Sequence, residues 1–233
     1  MALHTRNFYT SRLLAEKRIG PHNKDVISTI VGNLLGDGFA EKRNNATRFH
    51  LHISNKNAQY IFTLHSFFAK NGYCNCDKPK VKKNIKKNNV VYFSIRFTTF
   101  SFSSLNYVYD SFYEKQNCCL NRVLCTEFCV AKKSFYKKKV SKNIYDLLTE
   151  KAFAILFMDH AENGGEKIQI STESFSFKDN VILQKAIYEK FNLECTIQKH
   201  KYNFLLYFEK KHKEKLFSII KPYMYSCMYY KLK

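Results

Sequence analysis

A chain of 233 residues with 45% hydrophobic content, 7 Gly and 3 Pro can bury a sizeable core, which excludes a disordered or collagen-like protein. Its 39 Lys+Arg against 19 Asp+Glu leave a formal charge of +20, a field that draws the chain onto a polyanion and away from basic partners. No run approaches the roughly 18 uninterrupted apolar residues of a membrane helix, and no basic amphipathic helix suits a bilayer surface, so nucleic acid is the expected partner and a membrane is not.

The first twenty residues carry Arg6, Arg12, Lys17 and Arg18 with few acids, as a short basic arm or an organelle-import leader would; residues 1–24 are taken as the arm. In DVISTIVGNLLGD (25–37), Val26, Ile27, Ile30, Val31, Leu34 and Leu35 recur at helical spacing, and the helix is expected to end at Gly38. ATRFHLHIS (46–54) alternates as a strand, and NAQYIFTLHSFFAKNG (57–72) is a helix that Gly72 would cap. A lysine run, Lys78, Lys80, Lys82, Lys83, Lys86 and Lys87, is placed at a hairpin tip before the strand VVYFSIRFTTF (90–100). A helix over 103–115 completes a first half, 25–115.

Residues 116–143 form a linker that bears cysteines and lysines, among them Lys137, Lys138 and Lys139. The second half, 144–233, repeats the order: a helix at 145–159, a strand at 167–175, a helix at 179–191, strands at 193–200 and 203–210, and a last helix at 213–225 interrupted by Pro222. Repetition at a spacing of roughly 120 residues predicts an α+β fold with a pseudo-twofold axis, and hence a monomer with internal symmetry. Cys74, Cys76, Cys118, Cys119, Cys125 and Cys129 contain no C-x-x-C pair, so free thiols in a reducing compartment are expected over structural zinc. The skew to 21 Phe and 16 Tyr, with abundant Lys, Asn and Ile and no Trp, suits A+T-rich coding DNA. It points to an organelle-encoded protein, in the mitochondrial matrix or another organelle.

Ile30-Val31-Gly32-Asn33-Leu34-Leu35-Gly36-Asp37-Gly38 resembles the nine-residue signature of the LAGLIDADG homing-endonuclease family. Arg48-Phe49-His50, TLHSFF, YFSIRFTTFSF, SKNIYDLLTEKAFAILFMD, ISTESF and KPYMYSCMYYKL are similar to successive blocks of its organellar DNA-endonuclease and maturase branch, so the likeness runs over residues 20–233. Only 116–135 stands apart, as an insertion. The resemblance implies an α+β homing-endonuclease saddle of two αββαββα-like halves, with two signature helices packed at its centre and a sheet from each half in the major groove. Gly32 and Gly36 are four apart, so they share a helix face and permit a second backbone to approach.

In such a saddle a two-stranded ribbon alternates side chains between bases and solvent. Arg48, His50, His52, Arg96, Thr98, Gln169, Ser171, Glu173, Gln198 and His200 are candidate base readers, and the two lysine runs are candidate phosphate contacts. The resemblance also implies an acid at the end of each signature helix, because divalent metals demand hard oxygen ligands. Asp37 is the first, a ligand for Mg²⁺ if the chain cleaves. The family's second pattern is Phe-Met-Asp-Asp-Gly-Gly, whereas this chain reads Phe157-Met158-Asp159-His160-Ala161-Glu162-Asn163-Gly164-Gly165. The metal position holds His160, or Asn163 if Gly164-Gly165 are aligned with the family glycines, and imidazole binds Mg²⁺ poorly. Asp159 and Glu162 are the carboxylates able to substitute, and Lys201, or Lys199, matches the family's basic residue near the scissile phosphates.

Two functions are therefore open. One is a binding protein for structured RNA, a splicing factor or a component of a larger organellar ribonucleoprotein such as the ribosome, held by phosphate and shape contacts. The other is a site-specific, Mg²⁺-dependent double-strand DNA endonuclease, or a nickase that relies on Asp37 alone. The missing carboxylate favours the first.

Overall fold

A computed structural model describes residues 14–18, 20–54, 57–85, 89, 91–116, 135–165, 167–200 and 203–233. Arg6, Arg12, Lys86, Lys87, Lys201 and the body of the 116–135 insertion lie outside the described residues.

Helix α1 (Lys24–Leu35) begins where Asn23 takes extended backbone and its side chain accepts the Asp25 amide at 2.8 Å. Strands β1 (Phe39–Arg43) and β2 (Ala46–Ser54) form a hairpin closed by Asn44-Asn45, whose φ values of 48° and 58° are those a two-residue turn requires. Helix α2 (Ala58–Lys70) stops in a left-handed turn at Gly72, φ 81°, where Gly72 N donates to Ala69 O and Tyr73 N to Phe68 O. Strands β3 (Val81–Ile85) and β4 (Val91–Thr98) complete an antiparallel sheet ordered β1-β2-β4-β3. After a 3-10 turn at Ser103–Leu105 come α3 (Asn106–Phe112) and a ribbon in which β5 (Tyr113–Gln116) pairs with β6 (Phe135–Lys138).

The second half follows the same plan. A short α4 (Ile144–Leu147) precedes α5 (Glu150–His160), then come β7 (Ala161–Asn163), β8 (Lys167–Ser171), α6 (Phe177–Phe191), β9 (Thr196–His200) and β10 (Asn203–Glu209). Its sheet, ordered β7-β8-β10-β9, has the topology of the first. Helix α7 (Lys213–Ile220) and 3-10 turns at Lys221–Tyr223 and Ser226–Leu232 end the chain.

One continuous core joins the halves through α1 and α5. A Cβ added to Gly32 would lie 2.5 Å from Ile155 Cβ and 2.6 Å from the Ala152 carbonyl oxygen, and one on Gly36 would collide with the Asp159 carboxylate. The two helices are thus in backbone contact along the face that both glycines share. No helix among the described residues is long and apolar enough to cross a membrane, and Cys74, Cys76, Cys195 and Cys227 are free thiols.

Several boundaries differ from the sequence expectation. The helix expected at 145–159 is two helices, because Thr149 takes extended backbone and its hydroxyl caps α5 by accepting Ala152 N at 3.1 Å. The helix expected at 103–115 ends at Phe112, since Tyr113–Gln116 is recruited by cross-strand pairing with Phe135–Lys138. The first lysine run is not placed at a hairpin tip as a whole: Lys82 and Lys83 lie inside β3, opposite Ser94 and Phe93, and Lys86 and Lys87 fall outside the described residues. The strand expected at 167–175 stops at Ser171, and the last helix stops at Ile220 because Pro222 sits in a 3-10 turn.

Candidate nucleic-acid interface

Helices α1 and α5 end side by side, and their termini bring the ionisable groups together. Asp37 follows the α1 cap residue Gly36, and His160 closes α5 before the chain enters β7. His160 stands against Asp37, with Nε2 3.0 Å from Asp37 Oδ1 and Nδ1 2.8 Å from the Ser171 carbonyl oxygen. Both neighbours are acceptors, so each ring nitrogen must donate, and a ring that donates twice is an imidazolium. Burial works against that charge, but the hydrogen bond to Asp37 and the charges of Asp37 and Asp159 outweigh it and raise the histidine's pKa above its ordinary value. Asp37 shows the converse. Burial tends to raise its pKa, yet the His160 bond and the charges of His160, Lys138 and Lys231 bring it below the ordinary carboxylate value.

Asp159 lies one layer deeper, against Gly36. Tyr60 donates its hydroxyl to Oδ1 at 2.7 Å, and the Asp37 amide approaches Oδ2 at 3.4 Å. Burial first, and the Asp37 charge second, push this carboxyl up to about 7. Lys138 reaches in from β6 and donates to the carbonyl oxygens of Gly36 and Gly38, both at 2.9 Å, so its ammonium brackets the turn that carries Asp37. Burial lowers its pKa to about 8 in spite of the two nearby aspartates. Lys231, from the final turn, donates to the Asp159 carbonyl at 3.4 Å, and burial depresses it as well. Three cationic side chains therefore surround two carboxylates at the helix ends.

This donor set does not fit a divalent ion. Asp37 Oδ1 already faces the His160 ring, whose raised pKa places a competing cation there, the Asp159 oxygens face Tyr60 and the helix interface, and Glu162 is turned outward, where it accepts Gln169 Nε2 at 2.6 Å. Asn163, the other occupant considered for the metal position, donates to the Lys233 carbonyl. Among the described residues no group of three or more His, Cys, Asp or Glu could hold a metal ion.

The cluster has a consequence for stability that can be measured in chelator. Asp159 and His160 both have folded pKa values above their unfolded ones, so the native state binds the extra protons. Their stabilisation is present at low pH and is lost as pH rises through the folded values. Asp37 acts oppositely, but its contribution is complete once pH exceeds its ordinary carboxylate range. His22, His50 and His65, whose pKa values burial lowers, add stability as pH rises and are common to both proteins, so the test is a difference: relative to Asp159→Asn, the wild type should lose melting temperature as pH rises from about 4 to about 7. An identical pH profile in the variant would show that Asp159 is ionised throughout.

The sheet faces divide the remaining candidates. In the first half Arg48, His50, His52, Arg96, Thr98 and Lys82 share the face turned from the core, whereas Phe49, Leu51, Ile95 and Phe97 pack inward. Lys83 alternates to the inward-facing side, and Lys78 and Lys80 are exposed ahead of β3. His50 is on the outer face but is 4% exposed: it stacks on Phe39 at 4.5 Å, and its nitrogens meet Glu41 at 3.1 Å, Arg96 at 2.7 Å and Thr98 at 3.0 Å. It orients its neighbours. Glu41 also takes Arg48 Nε at 2.7 Å and pairs with Arg43. In the second half Gln169, Ser171, Gln198 and His200 share the outer face with Tyr207 and Thr196, Glu173 pairs loosely with His200 at 3.9 Å, and Lys199 alternates to the other side. In the ribbon, Lys138 turns inward to Gly36 and Gly38, and Lys137 is exposed.

Sequence reasoning missed Glu41, Tyr60 and Lys231. Glu41 was recoverable, because Asn44-Asn45 is a hairpin signal that implies β1. Tyr60 and Lys231 are brought to the site by long-range packing and left no local signal.

A family model described as the LAGLIDADG DNA endonuclease family matches residues 27–216. The cytochrome b mRNA maturase bI2 of Saccharomyces cerevisiae is 32% identical over 228 residues, 96% of this chain and 51% of that protein, so the chain spans about half of that relative. The intron-encoded endonuclease ai4 of Dictyostelium discoideum is 35% identical over 174 residues, 72% of this chain and 98% of that protein. The solved structure of the homing endonuclease I-WcaI bound to its DNA recognition sequence superposes with a TM-score of 0.76 at 22% identity, covering 94% of this chain and 90% of that one, and shows the shared saddle fold.

Proposed function

From its membership in the LAGLIDADG DNA endonuclease family, we propose that this chain is a binding member, one that holds structured RNA as a splicing maturase does and does not cut both strands of DNA. The observation that carries this reading is the Asp37–His160 pair. Where a cleaving saddle needs a second carboxylate and a metal, this one has an internal cation already hydrogen-bonded to the first carboxylate. Asp37 and the groups around it hold one another in place, and the outer faces of the two sheets supply the contacts. The maturase relative supports RNA as the ligand. Its name, with the A+T-skewed composition, supports intron coding and a mitochondrial location.

An active endonuclease is the second reading, favoured by the endonuclease relative that the chain covers almost end to end. Chelation tests whether a metal completes the binding surface. With a labelled RNA hairpin at matched ionic strength, exchanging Mg²⁺ for EDTA should leave affinity unchanged, because no metal completes the surface. A loss of binding on chelation would count against the proposal.

Binding should also depend steeply on salt. Each neutralised phosphate releases a counterion, giving a log–log slope of about −0.9 per contact on duplex DNA and about −0.7 on single strands. A flat response would remove the connection between the +20 charge and a phosphate-binding surface.

A further inference from the structure

Beside the β5–β6 ribbon lies a cleft of about 380 Å³, bounded on one side by Lys137, Lys139 and Lys142 and on the other by the first turn of α6 with Lys178. None of its lining residues belongs to either four-stranded sheet, so it is separate from the outer faces described above. These four lysines have no ion-pair partner among the described residues. Two carboxylates also line the cleft, but Asp179 is engaged, accepting Val140 N at 3.0 Å and Ser176 N at 3.1 Å in the α6 capping box, and Glu114 stands across the ribbon from Lys137. Lys138 likewise directs its ammonium away, to Gly36 and Gly38.

Lys137, Lys138, Lys139, Lys142 and Lys178 outnumber Glu114 and Asp179 in the lining, so the cleft carries a net positive charge that an anion would offset. Beside the cleft, Phe177 is 55% exposed next to Lys178, an arrangement that offers an unpaired base a stacking surface while the lysines meet the adjoining phosphate. We propose that this cleft binds a backbone phosphate of the same nucleic acid that the sheets hold, as a second contact outside the saddle. The proposal rests on the nucleic-acid-binding reading above.

The test uses the full chain and a labelled RNA hairpin with an unpaired tail. Substituting Lys139→Gln, Lys142→Gln and Lys178→Gln together should reduce the magnitude of the log–log salt slope by about 0.7, the share of one phosphate contact on single-stranded RNA. Replacing the same three lysines by Arg should keep the slope. So should removing the same charge from Lys70, Lys185 and Lys221, which are exposed and do not line the cleft. If the cleft variant and the distant variant lose slope equally, the cleft is solvated charge and the inference falls while nucleic-acid binding stands. If the wild type binds no RNA or DNA, both readings fall. Thermal melting in inorganic phosphate against chloride of equal ionic strength covers the remaining ligand. A rise that the cleft variant loses, together with an RNA salt slope that the variant keeps, would assign the cleft to a free anion and overturn the nucleic-acid contact.

Discussion

Incubated with Mg²⁺ and intronless organellar DNA, the wild-type protein should bind and leave both strands intact, and His160→Asp should raise cleavage from that baseline. Imidazolium at His160 neutralises Asp37 at 3.0 Å, so no pair of acids faces the phosphates. His160→Asp replaces a cation by a carboxylate and leaves Asp37 and the new acid opposed, which divalent ions favour and the present cluster does not. Loss of one group that stabilises developing charge typically costs about 10²–10³-fold, so the effect should be large if Lys138 and Lys231 still allow a metal to enter. Binding should change little, because His160 makes its contacts within the protein. Mapping DNA ends by sequencing reads the result. Efficient cutting by the wild type, abolished by Asp37→Asn, would sink the non-cleaving account and leave Asp159 as the second acid.

Gly36→Leu and Gly32→Leu should each destabilise the whole protein, although at Gly32, inside α1, leucine is the better helix former. There propensity favours the change by roughly 0.8 kcal/mol, while overpacking at a closed interface costs about 1–3 kcal/mol or more at either position. The second term wins because the obstructing atoms are not free to move. At Gly32 they are the Ala152 carbonyl and Ile155 Cβ of α5, and at Gly36 the Asp159 carboxylate, already engaged by Tyr60. A loss of about 2–4 °C in melting temperature per kcal/mol is expected for a chain of this size. One cooperative transition should persist, because the core is continuous across the two helices. A variant that melts with the wild type would show that α1 and α5 do not touch at these glycines.

The fold was largely legible in the sequence. The apolar spacing of Val26, Ile30, Val31, Leu34 and Leu35 marked α1, and alternation about Arg48 and Arg96 marked the strands that carry them. What escaped was decided by partners distant in the chain. Tyr113–Gln116 continues a helical pattern but is a strand because Phe135–Lys138 pairs with it, and β7 has only three residues in which to alternate. Within the site, the absence of a carboxylate at residue 160 could be read directly from the letters. Its consequence could not, since the pairing of His160 with Asp37 and the entry of Lys138 beneath Gly36 and Gly38 join residues a hundred or more positions apart.

The proposal that this saddle holds RNA without cutting DNA is tested most directly by crosslinking the protein to nucleic acid in the cells that express it and sequencing what is recovered. The expected product is RNA, concentrated in one structured intron and continuous through the bound region. Recovery instead of organellar DNA, with ends in both strands clustered at one site, would contradict it.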